Sequence, residues 1–163
     1  MIMKTLLPLV LSLLFLSSFS GFKSVHDRSA QRGRSHENPA ARVVQLHFSS
    51  IRNMKGQIQL GVYRNQQEFK EEKPYQTHIF PKKNLKDGSM TAELSLPDGV
   101  YGISVLDDEN ANKKMDYNFL GMPEEGFGFS DFYLSGFSRP VFEDFDFQLN
   151  GKAKAVKIKF RYI

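Results

Sequence analysis

The chain has 163 residues and a mass of 18.7 kDa, which is enough for one ordinary domain. It contains no cysteine, which excludes disulfides, thiolate nucleophiles, iron–sulfur clusters and the cysteine anchor of a bacterial lipoprotein. The formal net charge is +4, but residues 43–163 carry 16 basic and 16 acidic side chains, so the excess lies nearer the amino terminus. A nucleic-acid-binding domain is expected to carry a basic face on the fold itself, so this balance argues against that class of protein.

The amino terminus, residues 1–20, has the pattern of a secretory signal peptide. Lys4 precedes an apolar run, and Ser18 and Ser20 are small residues of the kind that a signal peptidase accepts. The apolar run of about 15 residues is shorter than the roughly 20 that a membrane-spanning helix needs. We therefore expect an exported protein, periplasmic or extracellular, without a stable membrane span after cleavage. The alternative is an uncleaved membrane anchor.

Residues 21–42 are rich in Ser, Arg, Gln, His, Asn and Pro and contain almost no apolar side chains after Val25. Such a segment buries too little surface to offset the entropy lost on ordering, so we expect a basic disordered linker. The alternative is a basic arm that touches an acidic surface. Residues 43–163 are then expected to form one domain.

The body of the chain alternates apolar and polar residues with a period of two, which is typical of half-buried antiparallel strands. Six segments show this pattern: 43–49, 57–63, 90–96, 100–107, 144–149 and 155–162. Residues 76–80 are a candidate seventh strand. A short helix is expected over 66–71, capped by Asn65 and ended by Pro74. We therefore predict an all-β fold, an antiparallel β-sandwich of about seven strands.

The segment 96–101, Leu-Pro-Asp-Gly-Val-Tyr, predicts a tight turn between two of these strands. Asp-Gly supplies the positive φ that such a turn needs, and Pro97 ends the preceding strand. The pattern Leu-Pro-x-Gly-x-Tyr before a strand resembles that of transthyretin-like and carboxypeptidase-regulatory-like sandwiches. It indicates a turn and carries no chemistry.

The loop after this strand has the spacing of a calcium-binding loop. Five residues stand at positions 1, 3, 5, 7 and 9 of such a loop, the fourth through its carbonyl: Asp108, Asn110, Asn112, Lys114 and Asp116. They predict a weak calcium site, and no other cofactor is indicated. Lys113 replaces the usual Gly and Phe119 the usual bidentate Glu, so Asp107 or a more distant carboxylate would have to complete the shell. The alternative is a polar turn in which Asp and Asn bond their own backbone.

The region 105–146 is acidic and aromatic and is long for a connection. It holds ten acidic and three basic residues, and eight of the 15 Phe lie between 119 and 147. Long connections inside compact domains are usually functional or disordered, and the Phe content argues against disorder. We expect a binding face for an unknown protein, peptide or glycan. Its candidate residues are Glu124, Glu125, Phe127, Phe129 and Asp131. The alternative is that the Phe side chains close the open end of the sandwich.

Taken together, these motifs resemble the uncharacterised bacterial family called domain of unknown function 2141. The matching stretches are 96–101, 108–112, 116–121, 123–130 and 142–144, and the resemblance covers roughly residues 43–163. The family usually has Gly where this chain has Ala111 and Lys113. The resemblance implies an exported β-sandwich protein and no established activity.

No catalytic constellation is visible in the sequence. Two of the four histidines lie in the linker, and His47 and His78 lie on different predicted strands. Glu124 and Glu125 are adjacent, so on an extended chain they point apart, and no Ser has a nucleophile-elbow context. We therefore predict a non-catalytic binding module. The alternatives are a structural envelope-associated protein and a hydrolase with dispersed catalytic residues.

Overall fold

The structure, a computed structural model, describes residues 40–163. The predicted signal peptide and nearly all of the predicted linker lie outside the described residues. The strands are β1 (Arg42–Ser49), β2 (Gln57–Tyr63), β3 (Gln76–Pro81), β4 (Met90–Leu96), β5 (Gly99–Asp108), β6 (Gly126–Phe129), β7 (Asp146–Leu149) and β8 (Lys154–Lys159). One helix, α1 (Gln66–Lys70), follows β2, and short 3-10 turns span Lys82–Asn84 and Phe142–Asp144. Within residues 40–163 no helix has the length and apolarity to cross a bilayer.

The strands form two packed sheets, so the predicted all-β sandwich is confirmed. The first sheet has the order β4-β1-β8. The second has the order β3-β2-β5-β6, and β7 pairs with β5 beyond the end of β6. All of these pairs are antiparallel except β1–β8, which is parallel. The prediction of a tight hairpin turn at Asp98-Gly99 is wrong, because β4 and β5 lie in different sheets and neither residue has a positive φ. The sheets meet at one side, where the backbones of Phe127 and Arg161 exchange hydrogen bonds of 3.0 and 2.8 Å.

The main core lies between the sheets and follows from the period-two alternation. One side of every strand is apolar, and these sides face each other across the sandwich. Its fully buried aliphatic members are Val44, Leu46, Ile58, Leu60, Val62, Leu96, Ile103, Val156 and Ile158. Burying one such side chain contributes about 1.5–3 kcal/mol. In a chain without disulfides, this apolar burial is the main source of stability.

A second, aromatic core covers half of the outer face of the five-stranded sheet. Its members are Tyr63, Phe69, Phe129, Phe142 and Phe145. Helix α1 brings Phe69 to this core, and its N-terminus is fixed where the Asn65 side chain accepts the Glu68 N–H at 2.9 Å. The aromatic core needs Gly102 beneath it, because a Cβ at that position would lie 2.6 Å from the Phe145 ring.

Strand β6 is the strand that the sequence analysis did not predict. Its sequence is Gly-Phe-Gly-Phe, with Phe127 and Phe129 on the outer face and the two glycines on the inner face. A Cβ at Gly126 would lie 2.3 Å from the Tyr162 ring, and one at Gly128 would lie 2.9 Å from Ile158. Glycine has no apolar side chain. A strand whose two inward-facing residues are both glycine therefore lacks the alternation of apolar and polar residues that identifies the other strands.

Candidate functional site

A groove of about 660 Å³ crosses the outer face of the five-stranded sheet, beside the aromatic core. Strand register builds its floor from two rows of outward-facing residues. One row is Thr77, Gly61, Ser104 and Phe129, and the other is Gln59, Leu106 and Phe127. The side chains of the first row are small except for Phe129 at its end. They therefore leave a trough in the surface of the sheet. Ligand sites in proteins commonly have volumes of roughly 300–1,000 Å³, so the groove falls within that class.

Two connecting segments form the walls of the groove. One wall, from the connection between β5 and β6, consists of Lys113, Lys114, Met115, Tyr117, Met122 and Pro123. The opposite wall, from the connection between β6 and β7, consists of Leu134, Gly136, Phe137, Arg139 and Pro140. Both walls belong to the acidic and aromatic region that the sequence analysis singled out, but the floor comes from strands far from it in sequence.

The two predicted binding residues of β6 lie in the groove. Phe129 is 8% exposed and packs edge-on against Phe69, with ring centroids 6.1 Å apart. Phe127 is only half-buried, and its ring centroid lies 6.2 Å from that of Phe129. Phe129 is therefore anchored in the aromatic core, while Phe127 keeps ring surface available to a ligand.

Arg139 fixes the second wall to helix α1. Its guanidinium donates to the Phe69 carbonyl at 2.7 Å and to a Glu72 carboxylate oxygen at 3.1 Å. The same guanidinium lies 4.5 Å from the centroid of the Phe69 ring, in a cation–π arrangement. Three contacts from one side chain hold this wall in place.

The residues of the predicted calcium loop come together in the structure. Asp108 is fully buried, and its carboxylate accepts the N–H groups of Asn112 and Lys113, both at 3.0 Å. Asp116 accepts side-chain N–H groups from Asn110 at 2.6 Å and from Asn112 at 2.8 Å. These bonds include the Asp-to-backbone bonds of the predicted polar turn.

The backbone of this loop turns sharply at two residues that are not glycine. Ala111 has φ of 60° and Lys113 has φ of 67°, both in the left-handed region. That conformation costs a residue with a side chain roughly 1–2 kcal/mol. The amide oxygens of Asn110 and Asn112 accept N–H groups two residues onward, at 3.0 and 2.9 Å, and offset part of this cost.

Glu125 is a third carboxylate at this loop. It is buried, and its oxygens accept the N–H of Glu109 at 2.9 Å and the N–H of Asp116 at 3.4 Å. Burial raises the pKa of Glu125, and the negative charges of Asp116 and Asp108 raise it further. The sequence analysis named Glu125 as a binding residue but did not join it to the loop, because the turn that brings it back is not visible in the spacing.

The loop's oxygens are committed to hydrogen bonds within the loop. Asn110 and Asn112 turn their N–H donors toward Asp116, on the side where a cation would need oxygen ligands. Among residues 40–163 no group of three or more His, Asp or Glu side chains is arranged to hold a metal ion. A cation at this loop would therefore require rotation of the two amides, with Asp108, Asp116 and Glu125 as the charged ligands.

Asp107 faces the opposite way, into the main core. It forms a fully buried ion pair with Lys82, whose ammonium contacts Oδ1 outside hydrogen-bond geometry. Tyr162 donates its hydroxyl to Asp107 Oδ2 at 2.6 Å, and Lys82 donates to the Asn53 carbonyl at 3.3 Å. Burial, together with the hydrogen bond to Asp107, raises the pKa of Tyr162. Asp107 is therefore committed to this cluster, which leaves Glu125 as the carboxylate that joins the loop.

The remaining predicted site residues do not line the groove. Glu124 is exposed, and its carbonyl accepts the Arg52 guanidinium at 3.0 Å. Asp131 binds the edge of β8, where its carboxylate accepts the Lys157 N–H and its own N–H bonds the Lys157 carbonyl, both at 2.8 Å. Of the five predicted binding residues, only the two phenylalanines line the groove.

Comparison with known proteins gives one family match. Residues 46–157 match the model of the family described as "Uncharacterized protein conserved in bacteria (DUF2141)". This range contains both walls of the groove and the whole of the calcium-like loop. No curated protein and no solved structure matches the chain.

Proposed function

Since the chain belongs to this bacterial family, as its motifs indicated, we propose a function from the site that it carries. The protein is an exported, non-catalytic binding module, and its ligand docks in the groove on the outer face of the five-stranded sheet. The observation that carries this proposal is the groove itself, with Phe127 half-exposed on its floor. Small-molecule and peptide sites are typically concave and apolar, with a few polar groups that fix orientation.

The composition of the groove supports binding. The floor offers aromatic surface from Phe127 and polar groups from Gln59 and Ser104. Met115 and Met122 stand in the first wall. Methionine is flexible and polarisable, so this wall can adapt its shape to a ligand.

Exposed apolar side chains around the groove favour a ligand over a purely structural role. Phe119 is 95% exposed in the turn that joins the two halves of the first wall, and Phe137 is 79% exposed in the second wall. Single exposed apolar residues are ordinary, but several next to one apolar groove are typical of interaction sites. The structural alternative gives these side chains no role.

The proposal is tested with N-phenyl-1-naphthylamine, an uncharged aromatic probe whose emission rises in apolar sites. We expect the purified protein to enhance its emission, and Thr77→Trp to abolish the enhancement by filling the trough. Thr77 is exposed on the edge strand β3, where a large aromatic residue is compatible with the strand. The matched control is Thr91→Trp, an exposed position on β4, the edge strand of the other sheet.

Equal enhancement by the wild type and Thr77→Trp would place the probe elsewhere and contradict the proposal. Loss of enhancement in both variants would point to a general disturbance of the fold, which circular dichroism of each variant detects. Only selective loss in Thr77→Trp supports the groove.

We also propose a weak calcium site at the 108–116 loop, with Asp108, Asp116 and Glu125 as its charged ligands. The spacing of Asp and Asn oxygens along the loop supports it, as does Glu125, which accepts backbone N–H groups of the same loop, since calcium prefers six to eight oxygen ligands. A cation that binds only the folded state must raise the unfolding midpoint. We expect millimolar calcium to do so in the wild type but not in Asp108→Ala/Asp116→Ala. No shift up to about 10 mM would remove even the weakest class of site.

Export is proposed from the amino-terminal sequence pattern. We expect the mature protein to begin near Gly21, which mass spectrometry of the protein from its own cell envelope or culture medium measures. Recovery of the uncleaved chain from the cytoplasm would contradict this part of the proposal.

A further inference from the structure

The charges around the groove are sorted by sign. The region 105–146 contains three basic residues, Lys113, Lys114 and Arg139, and all three line the groove. The ten acidic residues of the same region all lie outside the groove lining. Glu72, from the segment after α1, is the one acidic side chain in the lining, and it already pairs with Arg139. Although the region 105–146 is rich in carboxylates, the only charged residues that it contributes to the groove lining are basic.

Two of these cations are available to a ligand. Arg139 is occupied by Glu72 and by the Phe69 carbonyl. Lys113 and Lys114 are exposed, and within residues 40–163 neither has a carboxylate oxygen within 4.0 Å of its ammonium group. Since both belong to the first wall, their charge lies at one side of a groove whose lining is partly apolar and partly polar.

The carboxylates of the loop adjoin this wall but do not line the groove. Asp108 is buried and accepts the Lys113 N–H, while Asp116 is engaged by Asn110 and Asn112. The left-handed turn at Lys113 falls between these two carboxylates in the chain. These hydrogen bonds hold both carboxylates within the loop, and neither residue is part of the groove lining.

We propose that the groove binds a monomeric, singly anionic amphiphile, with an apolar chain or ring on the aromatic floor and its anionic head at Lys113 and Lys114. This inference rests on the proposed function and names the ligand chemistry of the same site. Phe127, Phe129 and Leu106 on the floor favour hydrophobic surface, and the two lysines select for the sign of the head group. Attraction between exposed charges is modest and is screened by salt, so the preference for anions weakens as ionic strength rises.

The test compares three ligands that share one ten-carbon chain: decanoate, decanol and decyltrimethylammonium. Binding is measured by isothermal titration calorimetry on the purified protein, below the micelle concentration of each ligand and with chelator present. We expect the affinity to fall in that order. We expect the advantage of decanoate over decanol to shrink between about 10 mM and 500 mM salt, because the Debye length falls severalfold.

Charge-reversal variants test whether the two lysines of the first wall cause the preference for decanoate. We expect Lys113→Glu/Lys114→Glu to weaken decanoate binding about tenfold, as expected for the loss of two exposed charge contacts. The same variant should leave decanol binding within about twofold. The matched control is Lys152→Glu/Lys157→Glu, which changes the net charge equally at exposed positions outside the groove lining. We expect it to leave decanoate binding unchanged.

Failure of this inference is distinguishable from failure of the proposed function. If decanoate binds no better than decanol, or the wall variant binds as the wild type does, the anionic preference is overturned while the groove remains a binding site. If Thr77→Trp leaves decanoate binding intact, the ligand lies elsewhere and both are overturned. Decanoate presented only within anionic vesicles, and bound only there, would indicate a membrane surface and overturn the free-monomer proposal.

Discussion

Glu125 is a buried carboxylate beside two others, and its protonation should be visible in the pH dependence of stability. Its pKa is raised in the folded protein, so the folded state binds its proton more tightly than the unfolded state does. Its stabilising contribution is then complete below the ordinary glutamate pKa of about 4.3 and is lost as the pH rises through the raised value.

We therefore expect the stability of the wild type relative to Glu125→Gln to fall as the pH rises above the ordinary glutamate pKa. Urea unfolding of both proteins at each pH measures this difference. Using the difference cancels the carboxylates whose pKa is lowered by arginines, such as Glu68 and Asp98. A difference that stays constant with pH would contradict the assignment. If the proposed calcium site exists, millimolar calcium should flatten the slope.

The buried pair Lys82–Asp107 is the second feature that belongs to single residues. We expect Lys82→Met to destabilise the fold by about 3–5 kcal/mol, because it leaves the Asp107 carboxylate buried without its counter-ion. Lys82→Met/Asp107→Asn should recover most of that loss, since Asn still accepts the Tyr162 hydroxyl. Chemical denaturation of the two variants and the wild type completes the cycle. A double variant as unstable as the single one would contradict this account.

At the scale of elements, β6 depends on its two glycines. We expect Gly126→Ala to cost about 1–3 kcal/mol, because a Cβ there meets the Tyr162 ring at 2.3 Å and must displace it. Gly136→Ala is the matched control, since a Cβ there would lie 4.0 Å from the Ser138 backbone nitrogen, its nearest contact beyond the adjoining residues. This substitution should change stability by less than about 0.5 kcal/mol. Thermal unfolding measures both. Equal effects at the two positions would contradict the packing argument.

The alternation of apolar and polar residues predicted some strands accurately and missed others. The alternation located β1, β2, β4 and β5 to within a residue or two, because each has an apolar inner face that is readable in one dimension. It extended the last strand too far, since Arg161 pairs with Phe127 rather than continuing β8. It missed β6, where the inner face carries no side chains at all.

The candidate site could be predicted only in part from the sequence, for a related reason. The calcium-like spacing lies in one stretch of chain, so its residues could be named from the sequence. The groove floor combines Thr77, Gly61, Ser104 and Phe129 from four strands, and their alignment depends on register. Register between distant strands is fixed by packing and leaves no local signature, so the groove could not be predicted.

At the scale of the whole molecule, a substitution in the aromatic core should affect mainly stability, and one on the groove floor should affect mainly binding. Phe145 is 1% exposed in the aromatic core, so Phe145→Ala should cost about 3–5 kcal/mol. Phe127 is half-buried on the groove floor, so Phe127→Ala should cost clearly less and yet weaken the emission of the naphthylamine probe. Denaturation and probe titration of both variants test this. An equally large stability loss for Phe127→Ala would favour the purely structural role.

The parallel pairing of β1 with β8 has a consequence for the order of events in folding. Along one edge, β1 pairs with β4, and along the other edge its residues 44–49 pair with residues 154–159, far away in the sequence. Until the ribosome has released that last stretch, β1 can pair only with β4, and one side of the main core stays uncovered. Such long-range closure is slow because much chain entropy is lost before the contacts form. The main core is therefore closed only once residues 154–159 have left the ribosome, and a chain that lacks residues 154–163 should expose that core, aggregate and be cleaved readily by proteases.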